Sequence, residues 1–264
     1  MWEVKNNDTT VYLVGSVHVA DENFYPIHAK YEKAFLEADY IGFEINLTEI
    51  PSAKEQKNII EMSTYTDGST IKEHVSKETY SRIVDFLMNN DIELESISML
   101  KPFKLAAFIQ GMAIENAEYI EGIDVYFLQK TLERGIPVIG VETLEAHSEV
   151  FAKISTETQE RILNYTLDQY YSNTINDSTD ELIDLWKKGD DESLLKIFND
   201  MSSEQEYQKV MLTDRNILMA NKVEELLNSN KEEVYFIMIG ALHYPGKQGI
   251  IKLLQEKGYS VVRK

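Results

Sequence analysis

Near its start the chain reads Val11-Tyr12-Leu13-Val14-Gly15-Ser16-Val17-His18, and near its end Phe236-Ile237-Met238-Ile239-Gly240-Ala241-Leu242-His243. Each segment is an apolar, β-prone run closed by Gly-x-x-His. Runs of this kind, without polar alternation, suit strands buried inside a parallel sheet. Glycine lets the chain turn without a Cβ clash, so each motif is expected to lift a histidine onto the rim at the carboxyl end of its strand. Two other short apolar runs, Tyr40-Ile41-Gly42-Phe43-Glu44 and Pro137-Val138-Ile139-Gly140-Val141-Glu142, end in glutamate.

The segments between these strands set the fold class. Residues Pro26 to Ala38 carry apolar side chains near helical spacing and lead into Tyr40, a strand, helix, strand unit of the size of a parallel crossover. Helices are expected over Lys77 to Asn89 and over Pro102 to Glu115, where proline suits a first turn. A second crossover opens at Gly122-Ile123-Asp124 and stops at Gly135. Residues from about Leu144 to Asn230 read as helical almost throughout, with polar breaks near Ser172 to Ser178 and Lys188 to Asp191. The last strand is followed by a helix near Pro245 to Lys257 and an edge strand from Tyr259 to Arg263. The expectation is an α/β protein with a mostly parallel central sheet and large helical insertions at about 51–121 and 144–230.

In open parallel sheets the carboxyl ends of the strands share one edge, where ligands bind. Were the four strands neighbours, two imidazoles (His18, His243) and two carboxylates (Glu44, Glu142) would converge there. Glu44 follows the first histidine motif by one crossover, so its strand is the expected neighbour of that motif's strand, with Glu44 among the acids closest to His18. Such a group could hold a divalent metal, because imidazole and carboxylate together suit Mn, Fe, Co or Zn. It could equally work as a metal-free acid and base pair, His18 as base oriented by Glu44. Arg215, in the helical run Asp214-Arg215-Asn216, is either a snorkelling surface residue or a bidentate ligand for a substrate carboxylate or oxyanion. Asp124 either caps its helix or joins the site. His28, His74 and His147 lie outside any such frame and are expected at the surface.

Composition removes several function classes. With 26 Lys and Arg against 45 Asp and Glu, the net charge of −19 repels a phosphate backbone, so no nucleic-acid partner is expected. There are no cysteines, which rules out disulfides, thiol nucleophiles and Cys-ligated zinc. No run approaches the ~20 apolar residues of a membrane helix. The start Met1-Trp2-Glu3-Val4-Lys5 lacks the basic and apolar regions of a signal peptide.

Taken in order, Gly15 to His18, Phe43-Glu44, Gly122-Ile123-Asp124, Pro137-Val138 leading to Glu142-Thr143, Arg215-Asn216, and Gly240 to His243 with Gly249, Gly258 and Tyr259 resemble the TraB/GumN family. That family includes the Tiki metalloproteases. The likeness runs from Trp2 to Arg263 and implies a single EreA/ChaN-like domain over 1–264. It also implies a peptide hydrolase that works with Mn or Co, acting on a peptide or protein substrate. Carried onto this chain, it makes His18, Glu44 and His243 the metal ligands. Glu142, Asp124 and Arg215 match family positions to which the likeness gives no individual role; the expectation here is Glu142 and Arg215 as catalytic residues, and Arg215 and Asp124 as substrate-binding ones. Tyr244-Pro245-Gly246 departs from the Leu-Val-Gly type sequence of many members, which puts Tyr244 on the expected pocket wall. Many members carry a signal or anchor before the equivalent of Trp2, so an extracytoplasmic mature domain is expected, with a cytoplasmic location the alternative. The competing functions are a metal-free esterase and a non-catalytic peptide- or haem-binding protein.

Overall fold

The computed structural model of the protein describes residues 1–201, 205–229 and 231–264; Asn230, at the end of the long helical stretch expected from sequence, lies outside them. Strands β1 (Trp2–Asn6), β2 (Thr9–Ser16), β4 (Tyr40–Ile45), β6 (Val138–Glu142), β7 (Val234–Gly240) and β8 (Val261–Arg263) form one six-stranded sheet in the order β6-β4-β7-β2-β1-β8. Two short strands, β3 (Val19–Ala20) and β5 (Ile120–Glu121), pair separately and antiparallel. The four strands singled out in the sequence, β2, β4, β6 and β7, run parallel and lie side by side.

One expectation of strand order is corrected. β7 lies between β2 and β4, so Glu44's strand borders the second histidine motif rather than the first. β7 is buried on both faces along most of its length, and the centre of the sheet is where a fully apolar run loses least by having both faces covered.

On one sheet face, Val14, Ile41, Phe236 and Met238 pack against Phe35 and Phe127, from the helices Ala29–Glu37 and Ile123–Arg134. On the other, Val11, Leu13, Ile237 and Ile239 meet Met219 and Val223 of the helix Asp214–Leu227 and Leu254 of the helix Ile250–Glu256. Each such fully buried side chain contributes about 1.5–3 kcal/mol by leaving water.

The helical insertions share a core of their own. Ile83, Phe86 and Leu87 of the helix Lys77–Asn89, Leu105 and Ile109 of Pro102–Glu115, and Leu163 and Leu167 of Thr156–Ser172 form one cluster. Segments read as two insertions therefore make one helical layer, because each amphipathic helix needs a partner for its apolar stripe. Local signals start and stop these helices where the chain requires. Ser76 accepts a hydrogen bond from the Thr79 N–H, Pro102 opens its helix at the first turn, and Gly135 closes another in the left-handed region. The first helix begins at Ala29 rather than Pro26 because His28 caps it, its Nδ1 accepting from the Lys30 N–H. No helix among the described residues is long and apolar enough to cross a membrane.

Candidate functional site

β2 and β7 pair from Thr10 opposite Val234 to Ser16 opposite Gly240, so the two Gly-x-x-His motifs are offset by one residue. Their chains then part. After Gly240 the backbone coils into a tight turn over Ala241–His243 and carries the His243 ring inward, leaving the residue 5% exposed. After Ser16 it passes through Val17 and a bend at His18 into β3, and the His18 side chain is 77% exposed. Neither glycine supplies a left-handed turn. Each clears space: a Cβ on Gly15 would lie 3.1 Å from Ala241, and one on Gly240 would lie 2.8 Å from Glu44 Oε1. That clearance lets the Gly240 N–H donate to Glu44 Oε1 at 2.6 Å.

Glu44 and Glu142 end adjacent strands, and Arg215, on the first turn of the helix Asp214–Leu227, reaches between them. The two Nη2 protons point at Glu44 Oε2 and Glu142 Oε2, each 2.8 Å away. Nη1 faces His243 Nε2 at 3.2 Å and the Met211 carbonyl at 3.4 Å, and the Nε proton is shared by the Glu142 oxygens at 3.1 and 3.2 Å. A guanidinium has five N–H bonds, and these partners occupy all of them. Arg215 is therefore no snorkelling surface residue; it is 5% exposed and neutralises a buried carboxylate pair. A stretch of π-helix, Lys209–Thr213, leads into its helix.

Next to Arg215 on the chain, Asn216 fixes the protonation of His243. Asn216 Nδ2 donates to the Gln248 carbonyl at 2.9 Å, which turns Oδ1 toward His243 Nδ1 at 2.6 Å. A carbonyl oxygen only accepts, so Nδ1 carries the proton and Nε2 presents its lone pair to the site, 3.8 Å from Glu44 Oε1. Burial pushes His243 down to about 4, and the Arg215 charge adds to that, so the ring is neutral near pH 7. For Glu44, burial works upward, but His243, Arg215 and the Gly240 N–H outweigh it and hold the carboxyl down to about 2. Glu142 is lowered in the same way, burial being outweighed by hydrogen bonds from His147 and Arg215.

His18 pairs with Asp124, Nδ1 to Oδ2 at 2.6 Å, and this hydrogen bond raises its pKa against the opposing effect of burial. The sequence Gly122-Ile123-Asp124 builds the pair. The Gly122 N–H donates to the His18 carbonyl at 3.1 Å and the Ile123 N–H to that of Val17 at 3.2 Å, an approach so close that a Cβ on Gly122 would sit 2.1 Å from Val17 O. Asp124 is thus both a first-turn acid of its helix and the hydrogen-bond partner of His18. A pocket of about 210 Å³ joins His18 and Asp124 to Glu44 and His147, with apolar walls from Phe43, Leu47, Val125, Leu128 and Met238.

Two other residues stand apart from their expected places. Tyr244 is fully buried, stacked near Trp2 with its hydroxyl on the Val14 carbonyl at 3.1 Å, so it packs the core behind the motif and is not among the residues lining the pocket. His147, expected at the surface, sits in the site, its Nδ1 3.4 Å from Glu142 Oε2 and 3.2 Å from Arg215 Nη2. The sequence signal for it was local: Glu142 ends a strand, Thr143 caps the helix Leu144–Ala152, and that helix's first full turn brings residue 147 back over the strand end. His74 and His28 do have structural places, His74 bonded to Ser69 and stacked on Tyr65, His28 as a helix cap.

The TraB/PrgY/gumN family model matches residues 1–263. The chain belongs to that family. Curated relatives include a metalloprotease TIKI homolog of Nematostella vectensis, 23% identical over 99% of this chain and 66% of the relative. Metalloprotease TIKI2 of Xenopus tropicalis is 22% identical over 99% of this chain and 59% of its own length, and a TIKI homolog of Amphimedon queenslandica 22% identical over 100% and 61%. The chain thus spans about three-fifths to two-thirds of the length of these family relatives. No solved structure matches it significantly.

A divalent ion, which the relatives' names imply, can be tested against the donors present. Glu44, Glu142 and His147 offer ligand atoms that all lie within 4.8 Å of one another. Arg215 Nη2 lies among them, 2.8 Å from Glu44 Oε2, 2.8 Å from Glu142 Oε2 and 3.2 Å from His147 Nδ1, so an ion held by all three would displace that contact. The mixture of carboxylate oxygen and imidazole nitrogen is the donor set of Mn, Fe, Co or Zn. Both motif histidines also have an Nδ1 partner, Asp124 for His18 and Asn216 for His243, the arrangement that orients a ligating imidazole through Nε2. The residues fit such an ion.

Proposed function

We propose that this member of the TraB/PrgY/gumN family is a metal-dependent hydrolase that cleaves peptide bonds. The observation that carries the reading is the convergence, beside an apolar pocket, of two ionised carboxylates with imidazoles whose Nδ1 atoms are already committed. Glu44 and His243, with His18 across the pocket, would hold a divalent ion, Mn or Co before Zn or Fe. When bound, that ion would supply Lewis acidity and an acidified water.

The chain's own residues then have separable tasks. Arg215 keeps Glu44 and Glu142 ionised and fixed, and with its five N–H bonds engaged it serves the carboxylates rather than a developing oxyanion. Asn216 keeps the His243 lone pair aimed at the site. His18, whose Nδ1 is held by Asp124, would meet the ion through Nε2. Phe43, Leu128 and Met238 exclude water and suit an apolar side chain of the substrate.

A metal-free hydrolase is the second reading, favoured by one observation: His18 and Asp124 form an oriented base pair that needs no ion. A peptide library incubated with metal-replete and with chelated protein, and read by mass spectrometry, separates the two. Cleavage should disappear on chelation and return with Mn or Co more than with Mg. Undiminished cleavage in metal-free protein would transfer the chemistry to His18 and Asp124, and no cleavage in any sample would leave a binding protein.

A further inference from the structure

Directly after β4 the chain makes a turn that is tied down by one side chain. Asn46 Oδ1 accepts from the Thr48 N–H at 3.0 Å and from the Thr48 hydroxyl at 2.6 Å, while Asn46 Nδ2 donates to Glu49 Oε1 at 2.9 Å and to the Val138 carbonyl of β6 at 3.2 Å. The turn is therefore fixed to the neighbouring strand. What it presents is Leu47, 63% exposed yet part of the lining of the pocket that contains His18 and Glu44. A lone exposed leucine is ordinary on a protein surface, but this one shares its pocket with the candidate chemistry and is carried on a turn with little freedom.

We infer that Leu47 is a specificity-determining residue of the site, closing its pocket around one large apolar side chain of the substrate beside the bond that is cut. The inference rests on the peptide-hydrolysing reading above and assigns the choice of side chain to a residue outside the ionisable group. Phe43, Ile45 and Leu47 are alternate residues of β4 and its exit turn, Val125 and Leu128 lie three apart on the helix Ile123–Arg134, and Met238 completes the apolar lining. The ionisable groups of the same pocket leave little for a charged side chain. Glu44 is held by Arg215 and the Gly240 N–H, His147 by Glu142 and Arg215, and Asp124 gives Oδ2 to His18 while its Oδ1 has no exposed surface. A lysine entering here would shed its water without a free acid to pair with, and a glutamate would face the Glu44 carboxylate. A leucine, methionine or phenylalanine gains by leaving water, and about 210 Å³ gives room for one such side chain.

The test uses the full chain with Mn and a peptide library read by mass spectrometry, then two peptides that differ only in carrying Leu or Ala at the preferred position. The wild type should favour the Leu peptide by at least about 10-fold in kcat/KM, since each methylene in an apolar pocket carries that much discrimination. Leu47→Ala should lower the Leu-to-Ala ratio by at least about 3-fold, with an unchanged melting temperature because the side chain is exposed. Leu47→Met, which conserves volume, should restore the ratio, and Ile50→Ala, exposed but outside the pocket lining, should leave it as it is. An unchanged ratio in Leu47→Ala would overturn the inference, as would a wild type that cuts the library with no apolar preference; the hydrolase reading survives either result. If the wild type cuts no peptide with any divalent metal, that reading fails and the inference falls with it.

Discussion

Replacing Arg215 by methionine keeps the aliphatic stem but removes the one cation between Glu44 and Glu142. Both carboxylates accept from the same Nη2 at 2.8 Å, and their side chains are only 16% and 4% exposed. Removing one partner of a buried ion pair costs about 3–5 kcal/mol, because the remaining charge is neither solvated nor paired. Here two like charges are left, so the upper part of that range applies at pH 7. For a chain of this size about 2 °C of melting temperature corresponds to each kcal/mol, giving a fall of roughly 8–10 °C. The pH dependence carries the sharper signature. In the wild type Glu44 is held down to about 2 from the ordinary 4.5, so its stabilisation is present above pH 4.5 and is lost as pH falls toward 2. Without Arg215 one carboxyl of the pair should be raised and take up a proton as pH drops, so the deficit of the variant should shrink between pH 7 and pH 5. Urea melts of both proteins in chelator at the two pH values measure it. Equal midpoints at pH 7, or a deficit that is the same at pH 5, would refute the account of Arg215 as the counter-charge.

Other outcomes follow from single distances. Gly122→Ala places a Cβ 2.1 Å from Val17 O, so the backbones must separate at a cost of about 1–3 kcal/mol. In NMR titration the raised His18 pKa should then drop as Asp124 withdraws; an unchanged His18 titration would show that the glycine does not position the pair. His243, lowered to about 4 from 6.5, binds fewer protons folded than unfolded in that interval. Its contribution is therefore present above pH 6.5 and lost as pH falls toward 4. It amounts to at most about 3 kcal/mol, and in metal-free protein His243→Gln should flatten the acid limb of a stability profile by that amount.

What could be read from sequence was whatever local chemistry decides. Ser76 and Pro102 mark helices that begin where they should, and the apolar runs before Gly15 and Gly240 are the two buried strands. β1 went unrecognised because its five residues alternate buried and open and are defined only by antiparallel pairing to β2 and β8. Strand order depends on contacts between distant segments, so no local pattern showed that β7 separates β2 from β4. The likeness of the two histidine motifs suggested likeness of place. One residue of offset and a tight turn after Gly240 instead bury His243 and expose His18. Arg215 and Asp124 carried two readings each, and distance decided both: Arg215 between carboxylates, Asp124 on His18.

The central position of β7 also determines the order in which the molecule can be completed. Of the four adjacent parallel strands, β7 is the last to be synthesised, and until it docks, β1 and β2 form one ribbon and β4 and β6 another, each with an unpaired edge. Pairings such as Thr10 with Val234 join opposite ends of the chain, and contacts of that span close slowly. A nascent or C-terminally shortened chain therefore presents two sticky strand edges to its surroundings, where aggregation and chaperone capture compete with insertion of the missing strand. The same insertion brings in Gly240 and His243. The Gly240 N–H that bonds Glu44, and the His243 ring beside it, therefore join the site only when this final segment is in place.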